Sequence, residues 1–209
     1  MKLDPKFAKF VVMVNGCVPM AILCWDAYNH SLGANPTRFA LQTTGMLALV
    51  FLMLSLTVTP ARKISGWNFL SNFRKSLGLF AFFYGLIHLG IYFVFDRSMV
   101  FSNLVADLFG ENARLFIVLG MLSLVLMLPL ALTSTNGSIK RLGAAKWKRL
   151  HSLVYPAAIA AVVHYYMQAK VAVPLAKAFI VVITVLLGYR IYAALKPAKA
   201  KPRVAVARQ

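Results

Sequence analysis

Six long apolar runs divide this chain, at about residues 10–28, 41–58, 77–95, 115–132, 150–167 and 173–195. Each is close to the ~20 residues a helix needs to cross ~30 Å of hydrocarbon. Backbone polar groups in lipid must be satisfied within the segment, so continuous runs of this kind fold as helices. The expected fold is therefore all-α, a polytopic membrane bundle of about six transmembrane helices. Composition agrees. Of the 209 residues 60% are hydrophobic and 13% charged, against roughly 45–50% and about 25% in a water-soluble domain.

The first run follows Lys2, Lys6 and Lys9. It is longer than the apolar region of a secretory signal and no small-x-small cleavage pattern follows it, so it is read as a retained span. Lysine and arginine fall in alternate connections. One side carries 18 of them: Lys2, Lys6 and Lys9, then Arg62, Lys63, Arg74 and Lys75, then Lys140, Arg141, Lys146, Lys148 and Arg149, and finally Arg190, Lys196, Lys199, Lys201, Arg203 and Arg208. The other side has Arg38, Arg97, Arg114, Lys170 and Lys177, beside Asp26, Asp96, Asp107 and Glu111. By the positive-inside rule both termini are expected in the cytoplasm. A net charge of +18 would suit a nucleic-acid binder if it covered a water-facing surface. Clustered between apolar runs it reads as topology, so lipid is the expected partner and nucleic acid is not. Two units are expected: residues 1–195 as the six-span domain, and 196–209 as a basic cytoplasmic tail lying against the anionic inner leaflet. No internal repeat and no second folded domain is visible. Cys17 and Cys24 are seven apart, roughly 10 Å along a helix. That is too far for a disulfide, and they are read as small packing residues.

Ionisable groups inside spans are costly, and each is a functional candidate. The third run carries His88, and the fifth carries His151 and His164. His30 falls in a connection and is given no role. Counting from the basic side, His151 sits at that edge, and His164 lies roughly 20 Å further along the axis, at about the depth of His88. Two neutral imidazoles at one level can supply both axial positions of a heme iron. They can also hydrogen-bond across helices or line a proton path, but the matched depth favours heme. Thirteen residues turn His164 about 220° from His151 on an ideal helix, and Pro156 between them is placed to alter that phase. No histidine of the third run lies level with His151; Arg74 and Lys75 do. Arg74, Lys75, Lys148 and Arg149, with Trp147, make either an anion site for a heme propionate or flavin phosphate or plain positive-inside charge. Asp96, Asp107 and Glu111 occupy the longest outer connection and either orient a docking partner or are ordinary loop charges.

Several stretches carry a resemblance: Leu32-Gly33-Ala34-Asn35-Pro36, Thr59-Pro60, Arg74-Lys75-Ser76-Leu77-Gly78-Leu79, His88-Leu89, Thr133-Ser134-Thr135, Trp147-Lys148-Arg149-Leu150-His151-Ser152-Leu153-Val154-Tyr155 and His164-Tyr165. From about Gly33 to Tyr166 the chain resembles the MsrQ (YedZ) family, heme-binding membrane subunits of the bacterial periplasmic methionine sulfoxide reductase system. That family belongs to the ferric-reductase-like transmembrane superfamily. The resemblance implies a multi-pass b-type cytochrome of the inner membrane with one or two hemes b. It implies that His88, His151 and His164 are iron ligands, and that FMN binds as well. The implied donor is the quinol pool or a cytosolic flavin reductase, and the implied acceptor a periplasmic molybdenum-cofactor subunit that repairs oxidised envelope proteins. The superfamily's oxidases usually have four histidines in two pairs; the fourth is absent from this sequence. Arg74, Lys75, Trp147 and Arg149 are carried as cofactor-binding candidates, and no catalytic residue is assigned. After Leu195 no Gly-rich nucleotide fingerprint follows, so the reductant is expected from another protein. Two alternatives stand beside this reading. One is a stand-alone ferric or quinone reductase. The other is a histidine-relay transporter without heme, against which stand the lack of an intramembrane carboxylate and of an inverted-repeat pattern.

Overall fold

The computed structural model describes residues 4–111, 113–169 and 173–195. The basic tail 196–209 lies outside these residues, as do Lys2 and Lys170 of the orientation count. The described residues are all-α. Five helical segments are long and apolar enough to cross a membrane. They are α1 (Pro5–Tyr28), α2 (Pro36–Ser65), α3 (Arg74–Ile91) with its flanking turns, α5 (Leu115–Leu132) and α9 (Val173–Leu195). Short helices fill the connections: α4 (Phe101–Phe109), α6 (Asn136–Leu142) and α7 (Ala144–His151). The fifth apolar run becomes α8 (Val154–Gln168), whose 15 residues cover about 22 Å at 1.5 Å each.

The shortness of α8 has a local cause. Pro156 has no N–H to give the Ser152 carbonyl four residues back. That carbonyl instead accepts from Tyr155 N at 3.1 Å, and the chain turns at Ser152–Leu153 before resuming as α8. Pro156 therefore sits in the first turn of α8, and the phase change lies just before it. The other helix ends are also chemically marked. Asn35 Oδ1 accepts from Arg38 N at 3.0 Å at the start of α2, and Gly66 closes that helix at φ 74°. Helix α2 outruns its apolar run because these caps hold polar turns at both ends.

Helices α2 and α3 pack as one antiparallel hairpin and α5 with α8 as another, with α9 against α8 and α2. The core joins Leu49, Leu52, Met53 and Leu56 of α2 to Phe82 of α3, Met127 of α5 and Phe179 and Ile183 of α9. Ala157 and Ala158 of α8 are fully buried. Small residues of this kind let backbones approach closely where lipid supplies no hydrophobic drive between helices. At one end of the bundle cluster Arg62, Lys63, Arg74, Lys75 and the residues of α6 and α7. This is called the basic end, and the opposite end, with Asp26, Asp96, Asp107 and Glu111, the acidic end. Near the basic end Pro60 leaves the Leu56 carbonyl without its usual helical donor. Arg190 of α9 supplies one, Nη2 donating to Leu56 O at 3.0 Å while Nη1 donates to Tyr155 Oη at 2.7 Å.

Helix α1 stands at the periphery. It touches α3 where the Phe80 ring lies over Gly16, leaving no room for a Cβ, and where Tyr84 Oη donates to Gly16 O at 2.9 Å. Phe10, Val14, Ile22 and Trp25 face outward, as the lipid-facing side of a span must. Cys17 and Cys24 are unbridged and also exposed. They correct the packing role expected of them, because the contact face of α1 runs through Gly16 and Leu23 instead.

Candidate functional site

His88 and His164 meet between the two hairpins, with ring centroids 6.1 Å apart and planes at 85°. Each is held in the same way. His88 Nδ1 lies 2.9 Å from the Leu41 carbonyl of α2, and His164 Nδ1 lies 2.6 Å from the Phe116 carbonyl of α5. A carbonyl only accepts, so each Nδ1 carries the proton and each Nε2 is left as a lone pair. One turn on from each carbonyl stands a glycine. A Cβ on Gly45 would lie 3.0 Å from the His88 ring, and one on Gly120 would lie 2.8 Å from His164 Nδ1. The missing side chains are what let the imidazoles reach the backbone. The two hairpins thus repeat one device, although no internal repeat is visible in the sequence. The repeat is in geometry: a carbonyl, a glycine one turn later, and a histidine from the neighbouring helix.

The pair fits a heme iron on its own chemistry. Two metal–imidazole bonds of about 2 Å, plus roughly an ångström from each nitrogen to its ring centre, come to about the 6.1 Å observed. Among the described residues no third histidine, cysteine or carboxylate joins them. A bare metal ion would be under-coordinated there, whereas a porphyrin brings four ligands and asks the protein for two.

His151 is bound differently. The Thr133 hydroxyl donates to Pro129 O at 2.6 Å, so at 3.1 Å from His151 Nε2 it acts as acceptor and that nitrogen carries the proton. Trp147 stacks on the imidazole with centroids 3.9 Å apart, and its Nε1 donates to Thr133 O at 2.9 Å. Together they pin α7 to the end of α5.

Arg74, Lys75, Trp147 and His151 line one cavity of about 240 Å³ at the basic end, with Ser71, Ser134 and Asn136 among its polar groups. Lys148 and Arg149 do not line it; both are exposed. This corrects the expected cluster. Trp147 and His151 are one turn apart and share the inward face of α7, which turns the residues between them toward the outside. The cavity is smaller than the ~300–1,000 Å³ of usual cofactor pockets. It accommodates an anionic group such as a phosphate or propionate, not a whole flavin.

A second cavity, of about 370 Å³, opens at the acidic end directly beyond the histidine pair. Leu41 and Phe116, whose carbonyls hold the imidazoles, line it, together with Tyr92, Asp96, Arg114 and Gln168. Tyr92 and Gln168 stand one turn beyond His88 and His164 respectively. Asp107, read from sequence as either a docking charge or an ordinary loop charge, is engaged within the chain. Its carboxylate accepts from Tyr92 Oη at 2.6 Å and from Arg97 Nη2 at 3.1 Å. This clamp holds a tight turn in which Ser98 and Met99 adopt φ 51° and 60°, a region costly for residues other than glycine. Asp96 and Glu111 remain exposed.

A family model, the ferric reductase like transmembrane component, matches residues 44–162 and ends just short of His164. A protein of Deinococcus radiodurans is 45% identical over 161 residues, 76% of this chain and 77% of its own length. One of Ralstonia nicotianae is 39% identical over 195 residues, 91% and 88% of the two chains. One of Brucella anthropi is 43% identical over 155 residues, 74% and 68%. All three bear the name protein-methionine-sulfoxide reductase heme-binding subunit MsrQ.

Proposed function

The chain belongs to the ferric-reductase-like transmembrane family and, within it, to the MsrQ family, and from that premise we propose that it is the heme-binding membrane subunit of a protein-methionine-sulfoxide reductase. The observation that carries this reading is the His88–His164 pair, its ring centroids 6.1 Å apart, with both Nδ1 atoms held by backbone carbonyls and both Nε2 atoms left as lone pairs. His88 and His164 would hold the heme iron. Leu41 O and Phe116 O keep the imidazoles neutral and correctly turned, as outer-shell acceptors do for metal-bound histidine. Heme bound between them supplies reversible one-electron transfer, without a catalytic residue for the sulfoxide in this chain.

The remaining assignments follow from that one. The basic end faces the cytoplasm and the acidic end the periplasm, in the bacterial inner membrane, by the positive-inside count. Residues 1–195 form the heme-binding membrane domain, and 196–209 a basic tail. Electrons enter at the basic end from the quinol pool or a cytosolic flavin reductase. They leave at the acidic end to a periplasmic molybdenum-cofactor subunit that repairs oxidised methionine in envelope proteins. Arg74 and Lys75, beside Trp147 and His151, hold an anionic group at the entry cavity. Exposed Arg149 can meet only a donor arriving from outside. His151 gives its Nε2 proton to Thr133 and keeps a lone pair on Nδ1, but no histidine of α3 stands level with it to complete a second pair, so one heme is the simpler count. FMN is the alternative occupant of the entry side, its phosphate in the cavity and its ring outside.

The test is a reduced-minus-oxidised visible spectrum of the detergent-purified protein, followed by electron delivery to the purified periplasmic reductase. A b-type spectrum that the reductase reoxidises only when methionine sulfoxide is present is expected. A colourless protein from heme-sufficient cells would sink the reading and favour a histidine relay. A heme that reduces ferric iron or quinone but never the reductase would leave a stand-alone cytochrome.

A further inference from the structure

The acidic-end cavity begins one helical turn beyond the histidine pair, and its charges do not balance. Tyr92 has spent its hydroxyl, donating to Asp107 and accepting from Arg97 Nε at 2.7 Å. The Asp96 carboxylate lies 3.7 Å from Arg97 Nε, so its charge is partly met. Arg114 lines the same cavity, and among the described residues no carboxylate pairs with it. Arg114 also precedes α5, whose first amides carry no side-chain cap, so the positive end of that helix dipole adds to the same field. Arg114, exposed at the mouth of this cavity, therefore offers a planar cationic fork suited to a carboxylate, in a cavity whose Leu41 and Phe116 hold the two imidazoles. A carboxylate tethered to whatever the imidazoles hold would leave hydrocarbon by this route.

We propose that Arg114 receives a propionate carboxylate of the heme held by His88 and His164, through this cavity. The inference rests on the heme reading above and adds a polar anchor that neither the histidines nor the family match supplies. It fixes which way the heme edge points: carboxylates toward the acidic end, away from the hydrocarbon. The same fork could instead meet a carboxylate of the docked reductase, and the two sources are separable because only one belongs to the heme.

The test measures heme loss to excess apomyoglobin from the detergent-purified, full-length protein, beside Arg114→Gln and with heme dimethyl ester loaded in place of heme. Wild type should hold heme about tenfold longer than Arg114→Gln does, the scale of one charge-assisted hydrogen bond. It should lose the ester about as fast as the variant loses heme, and the variant should not discriminate between the two. The wild-type ester comparison stands even if the variant fails to accumulate. Equal retention of heme and ester by wild type, or wild-type discrimination kept by Arg114→Gln, overturns the proposal. Absence of any heme spectrum in wild type would instead defeat the heme reading itself, a different result from the Arg114 failure.

Discussion

His151 and His164 lie thirteen residues apart in one apolar stretch, yet the bundle treats them in opposite ways. At His164, as at His88, the backbone takes the proton of Nδ1 and leaves Nε2 bare, in a ring whose centre lies 6.1 Å from that of a second imidazole. At His151 a threonine takes the proton of Nε2, and a tryptophan covers the ring. The first arrangement leaves a bare Nε2 on each member of a histidine pair, and the second fastens one helix to another and leaves a bare Nδ1 under a stacked ring. Depth and helix face bring a histidine to a position, but the neighbour that engages its ring decides which nitrogen is left free there.

The largest effect that would break this contrast is on heme content. His88→Ala or His164→Ala should reduce the b-type absorbance of the purified protein to background, whereas His151→Ala should keep it. A spectrum lost equally in all three would make His151 a ligand as well. The glycine contacts come next. Gly120→Ala and Gly45→Ala should each strain the imidazole contact by about 1–3 kcal/mol and lower heme occupancy several-fold. Gly120→Ala should be the worse, since its Cβ would meet His164 at 2.8 Å against 3.0 Å for Gly45 and His88. Smaller again is a purely structural change at the basic end. Arg190→Leu should cost about 1–3 kcal/mol by leaving the Leu56 carbonyl unpaired, read as a lower melting temperature at unchanged absorbance maxima. The smallest effect sharpens the comparison: Thr133→Val should cost about 1 kcal/mol and leave the spectrum of the paired site as it was. A shifted spectrum would mean that the two histidine environments communicate.

Much of the fold could be read from hydropathy, because the demand that lipid makes on a backbone is so strict. Helices α5 and α9 coincide with the runs at 115–132 and 173–195. Helix α8 was misjudged at its start, since the apolar run continues straight through the turn that Pro156 enforces. The short helices α4, α6 and α7 were missed because they lie between the spans, where no run of 20 apolar residues marks them. The histidine pair was legible from depth alone. The glycines beneath it left a trace that hydropathy ignores: Gly45 precedes His88 by 43 residues and Gly120 precedes His164 by 44. The nitrogen that each ring exposes was not legible, because it depends on carbonyls of partner helices. Nor was the loss of Arg149 from the cavity, which follows from the face of α7 that Trp147 and His151 claim.

Pro60 and Arg190 stand 130 residues apart in the chain and share one carbonyl, that of Leu56. Their mutual dependence gives the chain's history a direction. A lineage that first exchanges the proline for alanine regains a helical donor for that carbonyl, and the arginine then becomes free to drift. A lineage that first loses the arginine passes through an intermediate with an unpaired carbonyl among packed helices. Of the two routes between the same endpoints, only the first avoids that cost, and relatives without the arginine should more often lack the proline than keep it.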